Sequence, residues 1–422
     1  MKSENKGIIN EAKHKDYDLI GAGMVFMVGA MLTALFNYLY HLFMGRMLGP
    51  YEYGVLGSLF AIIYVFLFSS STFTIVTSKY SAKFSENKSY LKRLVSKGFS
   101  KVAVGGMFLL FIYIALSWFI ADFLNLETTT GVIIVGVIAY VSVLSAIFAG
   151  ALNGMHKFVW QNVSSIIFVL LKFSLAVLLV YLGFVVNGAL IAILIGAVAG
   201  LLIAGYPLKK YFSEVKAEKF DSRGIYTYFV IVLFAYLLPI FLITFDQIMV
   251  KHLFSSSDAG LYAAAGNVSK IIWFGSGFLT GAVFPKATKL YLSGREPSGI
   301  LRKGLFYTLI LVVIGVGVYF TIPEFIVNLL YGADYVPVAG IIGLFGLALG
   351  IYSLTNIMIF YDLAVERYKF LFILAFGFIL EVALILMFDT NLLQIVNSVL
   401  ISISVIFVLI LAYNYKEIFN LK

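Results

Sequence analysis

Apolar runs of roughly twenty residues recur along this chain, and they constrain the backbone more than any other feature. Hydrocarbon offers peptide groups no water to bond, so a run of about 20 apolar residues crosses a bilayer as a helix that satisfies its own backbone. Twelve runs read this way, near residues 19–44, 54–78, 102–121, 131–152, 158–182, 184–208, 225–250, 259–285, 304–322, 336–361, 370–388 and 391–413. Little more than Gly183 parts the fifth from the sixth. Hydrophobic residues form 62% of the chain and charged residues 12%, so the expected class is an all-α integral membrane protein. The first run is too long for a signal-peptide core and no small-residue cleavage site follows it, which reads as a retained helix.

An even number of crossings puts both termini on one side and sorts the loops into two sets. Of the 30 lysines and arginines, 26 fall on the side of the termini, and only Arg46 and Lys251 fall in the opposite loops. The positive-inside rule then makes the termini cytoplasmic, in a multi-pass protein of the cell membrane. The lysine-rich connections at about 79–101 and 286–303 read as topological anchors.

Those two connections resemble each other. "KYSAKFSENKSYLKRLVSKGF" from Lys79 aligns with "KATKLYLSGREPSGILRKGLF" from Lys286, and "GRMLGPYEYG" aligns with "VKHLFSSSDAG". Arg46 pairs with Lys251 and Gly54 with Gly260, at offsets of 205 and 206 residues. Six is even, so the two halves share one orientation, as in transporters built from parallel repeats. The expected division is a cytoplasmic segment 1–18, a six-helix lobe 19–208, a cytoplasmic linker 209–224, a second six-helix lobe 225–415 and a tail 416–422.

The stretch "GRMLGPYEYGVLGSLFAI" resembles the first-loop motif of the polysaccharide and oligosaccharide flippase family. This is the Wzx-type branch of the multidrug/oligosaccharidyl-lipid/polysaccharide exporter superfamily. Arg46, Leu48, Gly49, Pro50, Tyr53 and Gly54 match its R-x-L-G-P-x-x-Y-G pattern. "DQIMVKHLFSSSDAGLYAAAGNV", with Asp246, Gly260 and Tyr262, is similar to the family's seventh-to-eighth-helix segment. The resemblance implies twelve helices in two pseudo-symmetric six-helix bundles, a MATE-like V around a central cavity. It also implies a substrate: an oligosaccharide on polyprenyl phosphate or pyrophosphate, moved from the cytoplasmic to the external leaflet.

Lys172, Asp246, Lys270 and Glu381 fall within spans, where each charge costs about 2.5–3.5 kcal/mol near the bilayer centre unless it meets a partner or a hydrated cavity. Gln161, Ser165, Phe168 and Lys172 share one helical face, as do Asn267 and Lys270, and both stripes read as cavity-lining. An anionic headgroup needs cations on its path. Lys172 and Lys270 near mid-span are candidates, either facing substrate or paired with Asp246 or Glu381. His41 and Arg46 lie near the external mouth, and Arg46 either receives the phosphate end or snorkels, pairs with Glu52 or caps its helix. Asn37 is a further polar candidate on the first helix. Asp246, seven residues beyond Pro239, and its rival Glu381 are candidates for coupling transport to H⁺ or Na⁺; a static ion pair is the alternative. At the 206-residue offset Lys172 meets Phe378, Asp246 meets Tyr40, Lys270 meets Tyr64 and Glu381 meets Leu175, so the repeat carries scaffold and not charge.

The chain has no cysteine, and its four histidines show no metal-ligand spacing, which argues against redox or zinc chemistry. It has no nucleotide-binding loop, nucleophile elbow or H-E-x-x-H pattern. The expectation is a transporter and not an enzyme, without cofactor or metal, a monomer whose partners are the lipid-linked glycan, membrane lipids and other glycan-assembly proteins, not nucleic acid. A MATE-like cation or drug antiporter is the nearest rival, since the spans hold two lysines against two acids. A membrane glycan ligase or polymerase is the rival from another class, and short external loops count against it.

Overall fold

The computed structural model describes residues 2–211 and 223–419, and side chains at 28–87, 89–211 and 224–419. The described residues form helices and their connections, without a strand. The expected linker 209–224, tail 416–422 and first segment lie in part outside them.

Nine stretches are long and apolar enough to cross a membrane among the described residues. Two are too long for one crossing: Val28–Lys83 has 56 residues and Phe158–Tyr211 has 54, whereas a bilayer core of about 30 Å takes about 20. Each is broken once. Helix α1 (Lys2–Lys83) turns at Gly49, with φ 71° and ψ 173°. Glycine adopts that φ without steric cost, and Pro50 opens the next arm with no N–H to leave unbonded. The second break is at Gly183, with φ 88°, between α6 (Phe158–Leu179) and α7 (Val185–Gly205). Helix α10 (Ser256–Leu292) has 37 residues and also has the length to cross. Its lysines, serines, glycines and Asn267 make it less apolar than the other crossings. Two divided stretches, seven undivided ones and α10 make the twelve expected crossings.

Contacts divide the chain into two compact units. The first comprises Met1–Met44, Phe66–Ala121 and Thr128–Leu233. It holds α2 (Lys88–Lys92), α3 (Gly98–Ala115), α5 (Thr130–Gly154), α6 and α7, with most of α4 (Ser117–Phe123) and the start of α8 (Arg223–Phe241). The run expected at 102–121 is therefore two helices. Leu116, with ψ −1°, marks the joint, although it still donates to Ile112 O and accepts from Ile120 N at 3.0 Å, and α4 follows with Trp118 and Phe119 exposed. The serines of "SSSTFT" satisfy themselves locally: Ser70 and Ser71 donate to Leu67 O at 2.7 and 3.2 Å, and Thr74 donates across to Ala146 O at 3.2 Å. This hydroxyl-rich face admits α5, whose Gly150 and Gly154 approach the α1 backbone at Thr74 and Ser78, as small residues do where apolar helices associate.

The second unit comprises Gly45–Val65, Asp122–Glu127 and Phe234–Lys422. It holds the rest of α8, then α9 (Phe245–Leu253), α10, α11 (Ser298–Thr321), α12 (Pro323–Tyr331), α13 (Ala339–Ala364), α14 (Phe370–Met387), α15 (Leu392–Tyr413) and α16 (Tyr415–Phe419). Helix α13 runs through its core, where Ile357, Met358 and Tyr361 pack with Phe370, Ile406 and Ile410. At the end of α13 the fully buried Asp362 accepts from Asn414 Nδ2 at 2.8 Å. Arg367 stands 3.6 Å from its other oxygen and also pairs with Glu417. Burial opposes the charge of Arg367, but Tyr413, Asp362 and Glu417 outweigh it and hold its pKa above the ordinary value. Arg367→Ala strands a buried carboxylate, and thermal unfolding in detergent should register a loss of about 3 kcal/mol. Asp362→Asn removes the charge with its need for a partner and should cost less. Equal losses would contradict the pairing.

Candidate functional site

Within the first unit, one crossing lysine is built into its surroundings. Lys172 on α6 is 4% exposed, and its Nζ donates to Asn37 Oδ1 at 2.8 Å. Asn37 lies on the first arm of α1 and is held in turn, donating from Nδ2 to Thr33 O at 2.9 Å. The same ammonium lies 4.2 Å from the centroid of the Tyr40 ring, a cation–π distance. The Tyr40 hydroxyl donates to Ala189 O on α7 at 3.2 Å. Three helices thus contribute to orienting one cation, with an amide oxygen and an aromatic face among its contacts. His41 packs edge-on against Tyr40, their centroids 5.5 Å apart. Gln161 and Ser165 lie along the Lys172 face of α6 and bond each other at 3.4 Å. They stand two to three helical turns from the ammonium, so the predicted stripe is present and Lys172, Asn37 and His41 gather at one end of it.

Within the second unit, α8 ends at Phe241, two residues beyond Pro239, and the chain restarts as α9. This break sets Asp246 in the first turn of α9, 2% exposed, where Tyr262 of α10 donates to Oδ2 at 2.6 Å. Among the described residues, Asp246 Oδ1 has no hydrogen-bond partner. Glu381 on α14 is fully buried, and neither carboxylate oxygen has a hydrogen-bond partner among the described residues. Asp246 interacts electrostatically with both Glu381 and Lys270. Lys270 lies 5.6 Å from the centroid of the Tyr64 ring. Buried carboxylate oxygens lacking donors are what a bound proton or small cation would satisfy. No group of three or more His, Asp or Glu side chains arranged to hold a metal occurs among the described residues.

Two further predicted residues join a different cluster of the same unit. Asn267 donates to the Tyr53 hydroxyl at 2.8 Å, and Tyr53 and Tyr331 share a hydroxyl contact at 3.2 Å. Arg46 donates from Nε to Leu330 O at 2.9 Å and from Nη2 to Leu329 O. Sequence reasoning named the charges, Asn37 and, in the motif with Asp246, Tyr262, but not which groups pair. It missed Tyr40 as a group that seats Lys172, for which the available signal was that Tyr40 stands opposite Asp246 in the repeat.

Residues 21–291 match the sequence profile of the family described as "Polysaccharide biosynthesis protein". No curated protein matches the chain in sequence. Among solved structures, a multidrug resistance MATE family transporter of the MOP superfamily superposes with a TM-score of 0.74 at 13% identity, over 94% of this chain and 99% of that one. The lipid II flippase MurJ superposes with a TM-score of 0.69 at 16% identity, over 94% and 89%. The eukaryotic MATE transporter AtDTX14 gives 0.59 at 12% identity, over 94% and 98%. At these identities the likeness is one of fold: an all-α, multi-pass membrane architecture.

Proposed function

We propose, because this chain belongs to the family of polysaccharide biosynthesis proteins, that it is a flippase for lipid-linked oligosaccharide. The substrate is an oligosaccharide on polyprenyl phosphate or pyrophosphate, and alternating access carries it from the cytoplasmic to the external leaflet of the cell membrane. Lys172 is the observation that carries this reading. A buried cation inside a span, in contact with Asn37 and the Tyr40 ring, costs several kcal/mol to insert, and an anionic headgroup entering the low-dielectric interior would repay that cost. Lys270, within its own unit, is a second candidate contact. The chain acts by transport without covalent chemistry, as a monomer with cytoplasmic termini beside other glycan-assembly proteins.

Asp246 and Glu381 are the proposed coupling groups, since three of their oxygens find no donor among the described residues. Asp246→Asn and Glu381→Gln keep shape and remove charge. Each should make the transport rate under an imposed H⁺ or Na⁺ gradient equal to the rate without one, and persistent stimulation in both variants would contradict coupling. The same two carboxylates support a second reading, a cation or drug antiporter with an acidic site. Native mass spectrometry of the purified protein separates the two. Retention of a polyprenyl-pyrophosphate oligosaccharide in preference to tetraphenylphosphonium supports the flippase, and the reverse order supports the antiporter.

A further inference from the structure

The two copies of the repeat meet each other through equivalent residues. A β-carbon added at Gly54 would stand 2.7 Å from Gly260 N and would overlap Ser256 O, and one added at Gly260 would stand 3.0 Å from Gly54 N and would overlap Pro50 O. A β-carbon at Gly57 would lie 2.8 Å from that of Ala263, and the Lys270 ammonium lies over the ring of Tyr64. Pro50 and Ser256, Gly54 and Gly260, Gly57 and Ala263, and Tyr64 and Lys270 are all 206 residues apart. They follow one another at helical spacing of four, three and seven residues, one face of each helix. Contact between equivalents places them on a local two-fold axis along which the second arm of α1 and α10 form a tight seam.

A second reciprocal pair flanks the seam. Arg46 donates to Leu329 O and Leu330 O in the last turn of α12. Lys251 donates to Leu124 O at 2.7 Å and Asn125 O at 3.2 Å, at the end of α4. Leu330 and Leu124 are again 206 residues apart. Each half of the chain thus sends a cation to the carbonyl end of the short helix contributed by the other half, where free C=O groups and the helix dipole favour positive charge. Both short helices end on a left-handed residue, Asn125 with φ 48° and Gly332 with φ 102°, which turns the last carbonyls outward. His252 reinforces one side, its Nδ1 2.6 Å from Phe123 O.

We infer that Arg46 and Lys251 are the two arms of a reciprocal latch that holds the seam shut on the side opposite the termini, and that this latch releases each time that side opens. The inference rests on the alternating-access reading for its purpose, and its test needs no substrate. With no native cysteine, Ala61→Cys supplies a single thiol at a buried position that shares the Pro50, Gly54, Gly57 and Tyr64 face of α1. Ser402→Cys on α15, also buried, supplies a control thiol away from the seam. Alkylation by a water-soluble maleimide then reports how often each position opens. Losing one charged hydrogen-bonding arm should raise the alkylation rate of the seam thiol about tenfold in Arg46→Gln and again in Arg46→Gln/Lys251→Gln. Arg46→Lys, which keeps the cation, should stay near the parent, and the control thiol should not change. Unchanged rates at the seam thiol would overturn the latch, as would a parallel rise at the control thiol, which marks general loosening. If the double variant does not fold, the exposed Arg46 alone still decides. A failed transport assay would leave this measurement intact, so the two ideas fail separately.

Discussion

Lys172→Met lowers glycolipid translocation about 10- to 100-fold, the loss expected when one charge-assisted contact to a phosphate disappears. The same substitution leaves thermal stability equal or higher. Lys172 is 4% exposed and rests on Asn37 and the Tyr40 ring, so an apolar chain of similar length removes a desolvated charge without opening a cavity. The split between the two readouts is the informative result. A lysine kept for structure would show the opposite pattern, with stability falling and the transport rate per folded molecule holding steady. Lys270→Met is expected to behave in the same direction within its own unit, but its neighbour Asp246 then loses a compensating charge, and some stability should go with it.

Gly54→Ala should destabilise the protein by about 3 kcal/mol, at the upper end of overpacking effects, because the added methyl meets the backbone of Ser256 and Gly260 rather than a side chain that can swing away. Relief requires the second arm of α1 and α10 to separate along the whole seam. Gly57→Ala meets side chains and no backbone atom among its nearest neighbours, the Ala263 methyl at 2.8 Å and Gln247 Nε2 at 3.5 Å, and should cost less. Gly317→Ala in α11, with nothing within 4 Å, should stabilise by about 0.5–1 kcal/mol, as alanine does in an open helix interior. Thermal unfolding of the three variants in one detergent checks the order. A Gly54 variant as stable as the Gly317 variant would remove the seam from the account.

Much of the architecture is legible in hydropathy because lipid selects for it directly. The twelve crossings, the break at Gly49 and Pro50, and the hairpin at Gly183 all follow from apolar length and backbone chemistry. Helices α4 and α12 are not legible in this way. Trp118 and Phe119 of α4 are exposed apolar residues that merge into the run at 102–121, whereas α12 falls between the runs at 304–322 and 336–361, where only Pro323 hints at a new helix start. The candidate site divides similarly. A charge inside an apolar run announces itself, so Lys172, Asp246, Lys270 and Glu381 were readable. Which groups pair with them was not, because most of the contacts join distant segments. Asn37 is 135 residues from Lys172 and Leu330 is 284 residues from Arg46, separations at which no local pattern specifies a neighbour. The 206-residue repeat is the exception, since it paired Gly54 with Gly260 and Arg46 with Lys251, residues whose roles the packing makes reciprocal.

Protein-dependent movement of a labelled polyprenyl-pyrophosphate oligosaccharide between the leaflets of liposomes tests the central claim most directly. The account predicts translocation that requires the protein, falls sharply in Lys172→Met and proceeds without uptake of a lipophilic cation. Cation uptake with no glycolipid movement would contradict it and assign the chain's buried carboxylates to an exporter of organic cations.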